Sequence, residues 1–92
     1  MDGMIDLPKQ RGIIVAGNAR QARSCARILN INPLDYVYVS DVLKLHGYRR
    51  PSVYLYGNFH VHPYWEEIRR QLKIIEARCE LVDVTGSIKP WR

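Results

Sequence analysis

The sequence predicts a small α/β domain built on a parallel sheet. Three observations carry that reading. Short β-branched and aromatic runs alternate with stretches of helical periodicity, in the order β-α-β-α-β-α-β. The first run, Gly12-Ile13-Ile14-Val15-Ala16, passes through Gly17 straight into a helical pattern, as the first unit of such a sheet does. No linker, repeat or low-complexity segment interrupts the 92 residues, so 1–92 reads as a single domain. Residues 1–10 read as an N-terminal extension and 86–92 as an irregular tail.

The first strand is Gly12 to Ala16. Asn18 is placed to cap a helix from Ala19 to Leu29, whose Ala19, Ala22, Ala26 and Leu29 make an apolar stripe of small residues. Asn30-Ile31-Asn32-Pro33 ends it. The second strand is Tyr36 to Val39. A short helix from Asp41 to His46 stops at Gly47. The third strand is Ser52 to Tyr56. The longest helix runs from Pro63 to Cys79, with Pro63 at its first position and Trp65, Ile68, Leu72 and Ile75 as its buried stripe. Glu66 and Glu67 near its start and Lys73 and Arg78 toward its end suit the helix dipole. The fourth strand is Leu81 to Val84.

Right-handed crossovers then give a four-stranded parallel sheet of order 2-1-3-4, three-layered and doubly wound, similar to a flavodoxin-like, Rossmann-like or P-loop-like half. The first helix lies alone on one face. That face is left thinly covered near the third and fourth strands, where Tyr54 and Tyr56 point the same way. Tyr54, Tyr56 and Trp91 are therefore the expected contact residues for a second chain. The alternative is a tail that folds Ile88 and Trp91 back over the same face.

The formal net charge is +5 and is unevenly spread. Lys9, Arg11, Arg20, Arg23 and Arg27 lie between Leu7 and Leu34 without an acidic residue among them. Arg20, Arg23 and Arg27 share helical spacing, which fits either a solvated face or contact with nucleic acid. No apolar stretch approaches the roughly 20 residues that span a bilayer, and Met1 to Gln10 lacks the apolar core of a secretory signal. Cys25 and Cys79 both fall in helical patterns, as small buried residues of a reducing compartment.

Gly17 to Ser24, GNARQARS, has the spacing of the phosphate-binding loop G-x-x-x-x-G-K-[ST]. Ala22 replaces the second glycine and Arg23 the lysine. The backbone can no longer wrap a β-phosphate, and arginine does not reproduce lysine's compact charge. Gly17, Asn18, Arg20, Arg23, Ser24, Asp41 and Asn58 remain as the candidate set for an anion or ligand at the carboxyl ends of the strands. Asp41 also has the ordinary role of a helix cap. His60-Val61-His62 offers the weaker prospect of a metal pair, with His46 and Asp41 as the nearest further ligands by topology. No nucleophile–base arrangement is evident. No catalytic residue, cofactor or metal is therefore expected.

The stretch YVYVSDVLKLHGYRRPSVYLYGN, from Tyr36 on, together with GNARQARSCARIL, resembles small proteins of actinobacterial phages, especially those of mycobacteriophages. The resemblance covers residues 12 to 84. It implies a viral origin and the cytoplasm of the host, and no catalytic residues. More distantly, the same region resembles the start of P-loop ATPase domains, from which Ala22 and Arg23 depart. The expected function is a non-catalytic binding module acting on a host protein or on itself as a homodimer. The alternative is a basic protein that uses Lys9, Arg11, Arg20, Arg23 and Arg27 on DNA. A remnant nucleotide or metal site ranks third.

Overall fold

The computed structural model describes residues 12–91. Lys9, Arg11 and the 1–10 extension lie outside the described residues. Within them the chain forms β1 (Gly12–Val15), α1 (Ala19–Ile28), β2 (Tyr36–Tyr38), β3 (Ser52–Tyr56), α2 (Trp65–Ile74), β4 (Arg78–Val82) and β5 (Ile88–Pro90), with 3-10 turns at Val42–Leu45 and Phe59–Val61. The sheet has five strands in the order β2-β1-β3-β4-β5. The first four are parallel to one another, and β5 runs antiparallel to β4.

Alternation along β1 sorts the core into two layers. Ile13 and Val15 face α2 together with Val39, Leu45, Val53, Leu55, Phe59, Ile68 and Leu72. Ile14 and Ala16 face α1 together with Ala22, Cys25, Ala26, Tyr56 and Val82. The small residues of α1 let it lie close to the sheet. The short third segment expected from Asp41 to His46 is a single 3-10 turn, and its Leu45 is fully buried on the α2 side.

Four expectations are corrected. The sheet has five strands, because Ile88–Pro90 pairs with β4 where the tail reads as irregular. Exposure and a proline hide that strand from a search for alternating apolar residues. The long helix ends at Ile74, not Cys79. The fourth strand correspondingly begins at Arg78 and ends at Val82, leaving Asp83 and Val84 in the following turn. Cys79 accordingly lies in β4 and packs toward the α2 layer, outside any helix.

Both helices end in the same way. Asn30 (φ 57°) follows α1, where Ile31 N–H donates to Ala26 O and Asn30 N–H to Arg27 O. Glu76 (φ 56°) follows α2, where Ala77 N–H donates to Leu72 O and Glu76 N–H to Lys73 O. These paired bonds are a Schellman stop, which needs one left-handed residue. Neither stop uses glycine.

Candidate binding edge

The carboxyl ends of the parallel strands are where ligands bind in open α/β sheets. Here that edge is formed by the loops after β1 (Ala16 to Asn18), β2 (Val39 to Asp41), β3 (Gly57 to Asn58) and β4 (Asp83 to Ser87). α1 starts at this edge. Asn18 caps it, its side-chain oxygen accepting from Gln21 N–H at 2.9 Å. One turn into the helix, Gln21 reaches back across the crevice. Its Oε1 accepts from Gly17 N–H at 2.9 Å and from Asn58 N–H at 3.1 Å.

This contact decides the fate of the phosphate-loop resemblance. Two backbone donors between the loops after β1 and β3 are engaged by the protein's own amide. A Cβ on Gly17 would lie 2.8 Å from Gln21 Oε1, and one on Gly57 only 2.6 Å from it. Gly57 also has φ +63°, a conformation that side chains disfavour. Both glycines therefore make room for Gln21. Of the expected anion set, Gly17, Asn18 and Asn58 come together around that amide, and Ser24 is half-buried on α1. Arg20 and Arg23 are exposed on α1. Asp41 caps the 3-10 turn, its Oδ1 accepting from Leu43 N–H at 2.9 Å.

The two histidines separate in role. His62 is 5% exposed. Its Nε2 lies 2.9 Å from Val39 O, and its Nδ1 accepts from Tyr64 N–H at 3.0 Å. A carbonyl only accepts, so Nε2 carries the hydrogen and both ring nitrogens are occupied. His62 ties the end of β2 to the entry of α2. His60 is exposed, edge-on to Phe59 at 5.1 Å. Among the described residues no group of three or more His, Cys, Asp or Glu is placed to hold a metal.

The thiols are not set up as nucleophiles. Burial pushes the Cys25 thiol up to about 11 and also raises that of Cys79. Burial likewise raises the Tyr38 hydroxyl.

The expected contact residues are redistributed. Tyr56 sits in the core beneath α1 and is 9% exposed. Tyr54 is half-buried on the same face. Trp91 docks on its own domain on the opposite face, with ring centroids 6.0 Å from Phe59 and 5.8 Å from Trp65. The tail thus extends the sheet and does not fold over the α1 side.

Beside its exposed polar residues the edge also presents apolar side chains. Leu43 is 66% exposed, Val61 64%, Tyr64 48% and Val84 76%. They come from the segments after β2, β3 and β4, and none of them is among the contact residues expected from the sequence. No periodicity marks them, because they lie in turns. Gln21 was legible in principle: Asn18-x-x-Gln21 is a capping-box spacing, here displaced so that the glutamine reaches Gly17.

On α1, Arg20, Arg23 and Arg27 are exposed. Among the described residues the ion pairs are Arg50–Glu76 at 2.9 Å and Arg69–Glu66 at 3.3 Å, and neither involves α1. No helix among the described residues is long and apolar enough to cross a membrane. No protein-family model, curated protein or solved structure matches the chain.

Proposed function

We propose that the protein is a non-catalytic α/β binding module that contacts another protein chain through the carboxyl edge of its sheet. The observation that carries this reading is the occupation of the strand-end crevice by Gln21, beside exposed Leu43, Val61, Tyr64 and Val84. A crevice filled by its own side chain does not receive a small anion. Exposed apolar side chains on several loops of one edge favour a protein surface. The partner is a host protein or a second copy, in the setting that the phage resemblance implies: an accessory protein working in the host cytoplasm. The architecture supports placing the domain among small doubly wound folds of Rossmann, flavodoxin or P-loop type, with an added antiparallel edge strand.

Light scattering after size exclusion, with affinity capture from the expressing cell, tests the reading. The double variant Leu43→Asp with Val61→Asp changes exposed residues only. Loss of a dimer, or of a stoichiometric captured chain, at unchanged circular dichroism supports it. A monomeric wild type whose captured proteins match those of the variant overturns it.

A further inference from the structure

A second surface runs along α1 to its C-terminal end. Arg20, Arg23 and Arg27 follow one another at i, i+3 and i+7, so all three project from one side of the helix over about 10 Å of its length. Past the last turn, Gly12, Asn30, Ile31, Asn32, Asp35, Ser52 and Tyr54 line a cleft of about 410 Å³. That size lies within the roughly 300–1,000 Å³ of ligand clefts.

Sheet register supplies the other flank. Ser52 pairs with Arg78 on β4, and Tyr54 with Glu80. Val82 packs into the α1 layer, so by alternation Arg78 and Glu80 face that side as well. Arg27 stands in the last turn of α1, shortly before Asn30 of the cleft, and exposed Arg78 lies beside its Ser52. Inside the cleft, Tyr54 offers a half-buried aromatic ring. Asn30 and Asn32 offer amides, and the Asn32 side-chain oxygen already accepts from Leu34 N–H at 2.8 Å. That leaves the Asn32 amide nitrogen as a donor. Asp35 is an acceptor suited to an amino group.

We propose that this surface binds single-stranded nucleic acid, with phosphates along Arg20, Arg23, Arg27 and Arg78 and one base against Tyr54 in the cleft. Three features select this occupant. The outer face of α1 is cationic. The cleft beside it combines an aromatic ring with amide and carboxylate groups, which matches a base edge and face and not a second phosphate. A paired base is stacked within its duplex and cannot enter, so the single strand is favoured. The proposal uses none of Gln21, Leu43, Val61, Tyr64 and Val84, which carry the protein-binding edge.

Fluorescence anisotropy with a labelled mixed-sequence 15-mer DNA, single-stranded and as its duplex, tests it. The single strand binds at 50 mM salt and the duplex binds at least fivefold more weakly. With about three neutralised phosphates, raising salt to 200 mM weakens binding about 15–20-fold. Arg23→Ala with Arg27→Ala lowers affinity tenfold or more. Tyr54→Leu keeps apolar volume while removing the ring, and lowers affinity at least threefold without lowering the melting temperature by more than a few degrees. No binding at 50 mM salt overturns the proposal. So does equal binding by wild type and the double arginine variant, or tighter binding of the duplex. Arg20→Lys with Arg23→Lys and Arg27→Lys retains charge and most of the binding, which guards against loss through misfolding.

Discussion

Gln21 Oε1 and Asn58 N–H, 37 residues apart in sequence, meet at 3.1 Å and join the start of α1 to the loop after β3. The same oxygen holds Gly17 N–H, so one side chain satisfies donors from two strand-end loops. Gln21→Ala frees both and is expected to cost about 1–2 kcal/mol in urea unfolding. It also reopens the crevice to an anion. Phosphate at millimolar concentration should raise the melting temperature of Gln21→Ala more than that of wild type. Equal shifts would show that the crevice donors bind no anion even when uncovered.

Glu76 is held in a left-handed conformation at the stop of α2. Glycine adopts it without the side-chain penalty, worth about 1 kcal/mol. The cost of the change is the Arg50–Glu76 pair, which joins two well-exposed side chains and contributes about 0–1 kcal/mol. Glu76→Gly should therefore leave stability unchanged or raise it by up to about 1 kcal/mol, with an unchanged denaturant slope. A loss of more than 1 kcal/mol would mean that the ion pair, not the backbone, governs this corner.

The two thiols should differ in accessibility. Cys25 is fully buried beneath α1, whereas Cys79 is half-buried on β4. At neutral pH a disulfide reagent should label Cys79 slowly and Cys25 only when the domain unfolds. Cys25 also carries an alkaline signature. Its folded value, about 11, lies above the ordinary 9.0, so its contribution to stability is intact below pH 9 and falls away between pH 9 and 11. Cys25→Ala should flatten that part of the stability profile.

Asp83 should show the opposite dependence. The Thr85 hydroxyl, 2.6 Å away, and the Thr85 and Ser87 N–H groups hold its carboxyl below the usual 3.8. A lowered folded value means that the contribution is present above about pH 4 and is lost as pH falls through the folded value. Amide exchange of Thr85 and Ser87, taken relative to the intrinsic rate at each pH, should accelerate in that acid range in wild type. In Asp83→Asn it should already be fast at neutral pH.

The alternating order was readable because Gly12 to Ala16 is a short apolar run, Val53 and Leu55 obey a two-residue period, and Ala22 and Ala26 a helical one. The end of α2 was not. A helix stop is recognised in sequence by glycine or asparagine, and here the left-handed residue is Glu76, a good helix former in isolation. Cys79, four residues after Ile75, then continued the helical period by coincidence. The fifth strand escaped for a different reason: its partners, not its own residues, define it. At the candidate edge the sequence displayed Gly17 and Asn58 but not the oxygen between them. Contacts across 37 residues leave no local pattern.

The pairing of β5 determines how this protein can associate. Trp91 N–H donates to Cys79 O and Asp83 N–H to Ser87 O, so the bonded positions alternate and Lys89 faces β4. Ile88 and Pro90 therefore turn their backbone outward, and proline has no N–H to offer. Among the described residues of β5, Ile88 supplies the one amide donor turned outward. Continuation of the sheet by a neighbouring copy is thereby disfavoured at this border. Contacts through the loops of the carboxyl edge leave both sheet borders out, so Leu43→Asp or Val61→Asp can separate two molecules there without touching a single ladder bond.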